Sequence, residues 1–206
     1  MVLEVGAGTG LHAALLCLEG WQVVAIEADK SLCVRLENET SARGLHIDVR
    51  HASRPEAVGP VAARHARLDR VAPYLDDAQL RGWLQASHAR LWRGGTLYLS
   101  TYHAAQWWNQ LEPGGTRMHL RTLVALEQLA REAGFEVAGA GFDVYGGEDP
   151  LRPGRDYVSG LVWWGDESPV DAPTLDASIQ TSVAAAEDNP RTVGAQAVVS
   201  VLLRAK

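Results

Sequence analysis

A carboxylate and three glycines open the chain at regular spacing: Glu4-Val5-Gly6-Ala7-Gly8-Thr9-Gly10. Glycines at 6, 8 and 10 let the backbone turn tightly and approach a bound molecule with no Cβ in the way. A second carboxylate, Glu27, closes the apolar run Trp21-Gln22-Val23-Val24-Ala25-Ile26. An acid in that place can accept hydrogen bonds from both hydroxyls of a ribose. Far along the chain, Tyr102 and His103 precede Trp107 and Trp108, which puts a side chain of near-neutral titration beside aromatic rings. Together these residue types offer a backbone cradle, a diol acceptor, a candidate general base and an aromatic wall.

Elements must position those groups. Val2-Leu3 leads into the glycines as a strand, and Leu11 to Leu18 follows as a helix halted by Gly20. The first N–H groups of that helix have no helical partner and point back at the turn. A strand, glycine turn and helix in this order mark a nucleotide-type cofactor site in an open α/β sheet. The plain alternative is an ordinary βα turn. Trp21 to Glu27 predicts a second strand, Asp29 caps a helix running to about Arg43, and Gly44 closes it. Leu45-His46-Ile47-Asp48-Val49 alternates as a third strand. Arg54 to Arg70 is rich in Ala, Arg and His; the best candidate for a fourth strand lies around Ala66 to Ala72.

Leu80, Leu84, Ser87 and Leu91 share one helical face, widened by Trp83. Gly94-Gly95 ends that helix, and Thr96 to Tyr102 reads as a strand. Leu120, Leu123, Val124, Leu126, Leu129 and Ala130 give an amphipathic helix closed by Gly134, before a strand from Phe135 to Val144. Tyr157 to Trp164 reads as a strand, Pro169 to Pro190 as a loop with at most a short helix, and Gln196 to Leu203 as a last strand. Strands alternating with helices point to an α/β fold with a parallel sheet.

At 206 residues and 47% hydrophobic content the chain reads as a single domain over 1–206 with a full core. No apolar run approaches the roughly 20 residues that span a bilayer, and no secretory signal opens the sequence; the expectation is a cytoplasmic protein with no membrane partner. Cys17 and Cys33 match no zinc or redox spacing and read as two buried thiols, and no His/Cys/Asp cluster has metal-ligand spacing. A net charge of −6 without a basic cluster argues against a nucleic-acid substrate held through its phosphates.

The spacing G-x-G-x-G, with Glu4 two residues ahead and Glu27 at the end of the next strand, resembles the first motif of class I S-adenosylmethionine-dependent methyltransferases. A dinucleotide fingerprint, G-x-G-x-x-G/A, would put its third small residue at Leu11, so a nicotinamide oxidoreductase is the less well matched rival. The resemblance implies a Rossmann-like three-layer αβα sandwich with a mostly parallel seven-stranded sheet and an antiparallel last strand. Gln196–Leu203 takes that last place, between strands five and six. Tyr157–Trp164 becomes an extra edge strand or hairpin in an insertion at about 146–194, although the reverse assignment stays open.

It also implies S-adenosylmethionine as cofactor and S-adenosylhomocysteine as product. Gly6, Ala7, Gly8 and Gly10 would pass under the methionyl part and the ribose. Glu4 would orient the amino group through water, Glu27 would take the ribose diol, and Ala28 would lie against the adenine. The acid that such enzymes often place after strand three has no counterpart in His51-Ala52-Ser53. Ser53 or a backbone amide would serve, or Asp48 in another register. Asp69 would face the sulfonium end, or else form a solvated pair with Arg70.

The loop after strand five, Thr101 to Trp108, reaches the substrate in this fold. His103 is the candidate general base, the alternative being a hydrogen-bonded loop histidine among the chain's seven. Tyr102, Trp107 and Trp108 would wall an aromatic pocket, or one tryptophan is core and the other covers it. Trp163-Trp164 reads as strand packing. The Asn/Asp-Pro-Pro-Tyr signature of amino-group DNA and protein-glutamine methylation is absent, since Ala72-Pro73-Tyr74 lacks the acid or amide, and no Pro-Cys nucleophile for cytosine C5 chemistry is present. The expected reaction is methyl transfer to an O or N atom of a small molecule. A rival from another class is a cofactor-binding, non-catalytic scaffold acting with a partner. It is suggested by a chain in which Val2 already begins strand one, where related enzymes carry helices first. A mis-chosen start or a truncated sequence explains the same fact, and a homo-oligomer or partner over that edge remains an expectation.

Overall fold

The computed structural model describes residues 1–105, 118–145, 157–160, 172–187 and 196–206. Eight strands form one sheet: β1 (Val2–Val5), β2 (Val23–Glu27), β3 (Asp48–His51), β4 (Ala63–Asp69), β5 (Leu91–Tyr102), β6 (Phe135–Tyr145), β7 (Tyr157–Gly160) and β8 (Gln196–Ala205). The helices are α1 (Leu11–Leu18), α2 (Lys30–Ala42), α3 (Asp77–His88), α4 (Leu123–Glu132) and α5 (Ala172–Glu187). Strand order is β3-β2-β1-β4-β5-β8-β6-β7. Strands β3, β2, β1, β4 and β5 run parallel; β8 is antiparallel to both β5 and β6, and β7 is antiparallel to β6. The last strand therefore lies between strands five and six, and the extra strand lies at the edge, both as expected. That extra strand makes the sheet eight-stranded rather than seven.

All four residues of β1 and all five of β2 are buried, as in a parallel strand covered on both faces. One face carries Leu3, Val5, Leu68, Leu97 and Leu99 against Leu80 and Leu84 of α3, Leu126 and Leu129 of α4, and Leu175 and Ile179 of α5. The other carries a smaller cluster of Ala13, Val23, Ala25 and Leu36 beneath α1 and α2. Asp29 caps α2 through hydrogen bonds from the Ser31 and Leu32 amides at 2.7 and 3.4 Å.

Five expectations are corrected. Strand three lies at Asp48–His51, because the Leu45 amide is still held by Thr40 of the preceding helix and pairing with β2 starts at Val24 and Asp48. Strand four starts earlier than expected, at Ala63, and is a central strand: Ala63, Ala66 and Leu68 face the core while Arg64, His65 and Arg67 face away. Leu91 is not on the α3 face. The helix stops at His88, and Leu91 opens β5 opposite Ala63; Gly94-Gly95 sits where the β4–β5 register shifts, with a Cβ on Gly95 meeting the Trp92 and Arg64 carbonyls at 2.8 and 2.9 Å. The segment read as a loop with at most a short helix holds α5, a 16-residue helix burying Ala172, Leu175, Ile179 and Val183. Of the two cysteines, only Cys33 is buried; Cys17 is half-exposed.

Candidate functional site

The chain leaves β1 toward β2 and β3, then returns to β4 on the other side of β1. Such a reversal opens a crevice beyond the carboxyl ends of the strands. A cavity of about 410 Å³ lies there, bounded by the ends of β1, β2 and β4 and by the segment from Arg70 to Leu75. Gly6, Glu27, Ala28, Ser53 and Asp69 line it together, so residues from four separate places in the sequence converge.

The three glycines divide the work. All adopt left-handed backbone, with φ of 72°, 56° and 79° at Gly6, Gly8 and Gly10. A Cβ on Gly6 would collide with Val71, and one on Gly10 with Leu36, so these two are required by packing inside the protein. A Cβ on Gly8 would meet nothing within 4 Å. Gly8 is thus the glycine whose bare side faces open space. The turn is held by Ile26, whose carbonyl accepts the Gly6 and Ala7 amides at 2.8 and 2.9 Å.

The Glu27 side chain is buried and organised by backbone. Its Oε2 accepts the Gly8 amide at 2.7 Å, and its Oε1 accepts the Ala28 and Asp29 amides at 2.8 and 2.9 Å. Each carboxylate oxygen has two acceptor positions, so Oε2 keeps one for a ligand. The ring of His51, at the end of β3, donates from Nε2 to the Ala28 carbonyl at 3.0 Å and holds the neighbouring wall. Ser53 lies exposed at the rim.

Beside the turn, four titratable groups from β1, α1 and β4 meet. Glu4 is 3% exposed, and its Oε2 has no hydrogen-bond partner. Burial, opposed by Arg67 and reinforced by Asp69, pushes its pKa up to about 7. Arg67 donates to Asp69 Oδ2 at 2.7 Å and to His12 Nε2 at 3.3 Å. His12 is held below its usual value by burial and by Arg67. Burial alone would raise Asp69, but hydrogen bonds from the Ser100 hydroxyl and from Arg67 outweigh it and hold the carboxyl below the usual range. Asp69 is therefore the last residue of a strand, paired chiefly with Arg67; the Arg70 guanidinium stands 3.9 Å away.

His103 departs from its expected role. Its side chain is fully enclosed; Nδ1 accepts the Ala105 amide at 3.1 Å, which leaves Nε2–H to donate to Asp176 at 2.8 Å. Asp176 also accepts the Leu123 and Val124 amides at 2.7 and 3.2 Å, so one carboxylate of α5 ties the end of β5 to the start of α4. A ring with both nitrogens committed and no open face is a structural joint, not a base presented to a substrate. Tyr102 ends β5 opposite Val198 and is half-buried, away from the cavity lining. Trp107, Trp108, Trp163 and Trp164 lie outside the described residues.

Sequence reasoning missed the far wall of the cavity: Arg70, Val71, Tyr74, Leu75 and Trp83. It also missed Arg121, 5% exposed, which donates to Asp77 at 2.8 Å and to the Ala72, His119 and Leu75 carbonyls at 2.8, 3.0 and 2.5 Å. That guanidinium staples the cavity wall to the entry of α4. An arginine between Leu120 and Thr122 carries no signal of such a role; its contacts with the Ala72 and Leu75 carbonyls, far along the chain, are invisible to spacing. Among the described residues no group of three or more His, Cys, Asp or Glu could hold a metal ion, and no helix is long and apolar enough to cross a membrane.

No protein-family model matches the sequence, and no curated protein matches it. Solved structures do match in fold. The [4+2]-cyclase SpnF is 17% identical, with a TM-score of 0.63 over 99% of this chain and 73% of that one. An S-adenosylmethionine-dependent methyltransferase from Clostridium acetobutylicum is 9% identical, with a TM-score of 0.64 over 99% and 83%. Another from Methanosarcina mazei is 12% identical, with a TM-score of 0.63 over 99% and 91%. The strand order, the antiparallel strand between five and six, and these likenesses give the chain the Rossmann-like fold of class I S-adenosylmethionine-dependent methyltransferases.

Proposed function

We propose that the chain is an S-adenosylmethionine-dependent methyltransferase acting on an O or N atom of a small molecule. The observation that carries this reading is the Glu27 carboxylate, clamped to the Gly8 amide at the strand reversal, on the wall of a cavity of about 410 Å³. The residues present fit that cofactor. Gly8 has an open face, Glu27 Oε2 keeps an acceptor position for a ribose hydroxyl, and the unpartnered, buried Glu4 Oε2 suits an ammonium or a water bound to it.

When bound, the cofactor supplies a methyl group already activated on a sulfonium. The protein's share is then mainly position and the exclusion of water. Glu27 would hold the ribose, Ala28 and the Arg70–Leu75 wall would flank the ring system, and the turn would set the depth of the methionyl chain. With His103 enclosed, an acceptor that attacks through a nitrogen lone pair or an already ionised oxygen suits the described residues best. A metabolite panel with labelled cofactor tests this; label transfer confined to nucleic acid or protein would sink the small-molecule reading.

A second reading is a cofactor-binding domain that transfers no methyl group. Two observations favour it: the enclosed His103, and the fold's occurrence in a [4+2]-cyclase. Binding of S-adenosylhomocysteine with no label transfer to any acceptor would establish it. Tight binding of a nicotinamide dinucleotide in place of S-adenosylhomocysteine would replace both readings.

A further inference from the structure

We propose that Arg70 is an anion-binding residue of the cavity, recognising a carboxylate carried either by the cofactor's amino-acid end or by the methyl acceptor. The inference rests on the methyltransferase reading for the identity of the site, and on Arg70's own geometry for the ligand chemistry.

Arg70 has a φ of 56° and is the one non-glycine residue in left-handed backbone among the described residues. Its amide is pinned to the Ser100 carbonyl and hydroxyl at 3.1 and 3.0 Å, where the chain leaves β4 for the cavity wall. Glycine or asparagine takes this conformation with less strain, so a long cation held there points to a role for the side chain. Among the described residues no hydrogen bond uses the guanidinium, and its one ion pair, with Asp69, is long. Asp69, its neighbour, is already taken by Ser100 and by Arg67 at 2.7 Å, leaving the Arg70 guanidinium 3.9 Å away with the side chain 59% exposed.

Arg70 is also the one cation lining the cavity among the described residues. Of the two acids there, Glu27 accepts three amides and makes no pair with Arg70, and Asp69 is hydrogen-bonded to Arg67 and Ser100. A planar guanidinium with free donors matches a carboxylate through two parallel hydrogen bonds. The cavity therefore presents guanidinium donors that no hydrogen bond consumes, beside the strand ends.

The test compares wild type with Arg70→Gln, Arg70→Lys and Arg70→Gly by calorimetry, each checked by thermal unfolding. The glycine variant suits the left-handed backbone, so it keeps the fold while removing the charge. The probes are S-adenosylhomocysteine, its analogue lacking the carboxylate, and benzoate against benzamide in the presence of S-adenosylhomocysteine. Loss of a charge-assisted pair should weaken binding by about ten- to a hundredfold. A loss seen with S-adenosylhomocysteine but not with the decarboxylated analogue places the anion on the cofactor. A loss seen with benzoate but not with benzamide places it on the acceptor. Unchanged affinities in all three variants would overturn the inference and leave the methyltransferase reading standing. Wild type that binds benzoate through Arg70 but not S-adenosylhomocysteine would keep the anion site and overturn that reading. Wild type that binds none of the probes would overturn both.

Discussion

The Glu27 carboxylate accepts the Gly8 amide at 2.7 Å, so the acid ending β2 is bolted to the turn ending β1. Two sequence signals 19 residues apart are thus one physical unit. The same carboxylate accepts the first amides after β2, which sets its direction before any ligand arrives. A ligand that binds there would meet a carboxylate already oriented, which lowers the cost of association.

The glycines of the turn should separate by experiment. Gly10→Ala is expected to destabilise the fold by about 2–4 kcal/mol, through strained backbone and collision with Leu36. Gly8→Ala meets no neighbour, so about 1–2 kcal/mol of backbone strain is expected, together with a marked loss of S-adenosylhomocysteine affinity. Thermal unfolding and calorimetry on both variants check this; equal effects on affinity and stability would contradict the division.

Glu4 should weaken the fold as it ionises. Its pKa in the fold, about 7, lies above the ordinary 4.5, so the stability it contributes is full below pH 4.5 and is lost as pH rises to about 7. Glu4→Gln removes that dependence. The variant should match wild type near pH 4.5 and exceed it by up to about 3 kcal/mol at pH 8. Asp69 and His12, whose values are lowered, act in the opposite sense as pH falls, and the difference between the two proteins cancels them to first order. Denaturant melts at pH 4.5, 6 and 8 measure the trend, and a variant less stable at pH 8 would refute it.

His103→Gln should lower stability, by about 1–3 kcal/mol, without removing a basic limb from a pH–rate profile. The side chain is enclosed and shared between Ala105 and Asp176, so its loss loosens the β5–α4–α5 joint rather than a proton-transfer step. A stable variant whose rate no longer depends on a group titrating near neutrality would restore His103 as the base.

Much of the fold was legible because its first half obeys local rules. Continuous apolar runs gave β1 and β2, Asp29 gave the start of α2, and Gly134 the end of α4. Strand β4 was obscured because its outward face carries Arg64, His65 and Arg67 and its inward face small alanines, which dilutes the alternation. Helix α5 was obscured by Ser, Thr and Ala, yet Leu175, Ile179 and Val183 recur every fourth residue and were available as a signal. At the site, the residues that touch backbone locally were readable. Those placed by tertiary contact were not: Arg121, Asp176 and the Arg70–Leu75 wall act chiefly through partners distant in sequence.

In the proposed function, Glu27 receives the ribose of S-adenosylmethionine. Calorimetry with S-adenosylhomocysteine on wild type and on Glu27→Ala tests it most directly, with thermal unfolding confirming that both are folded. Wild type should bind, and the variant should bind at least about tenfold more weakly. Equal affinity in the two folded proteins would contradict the account.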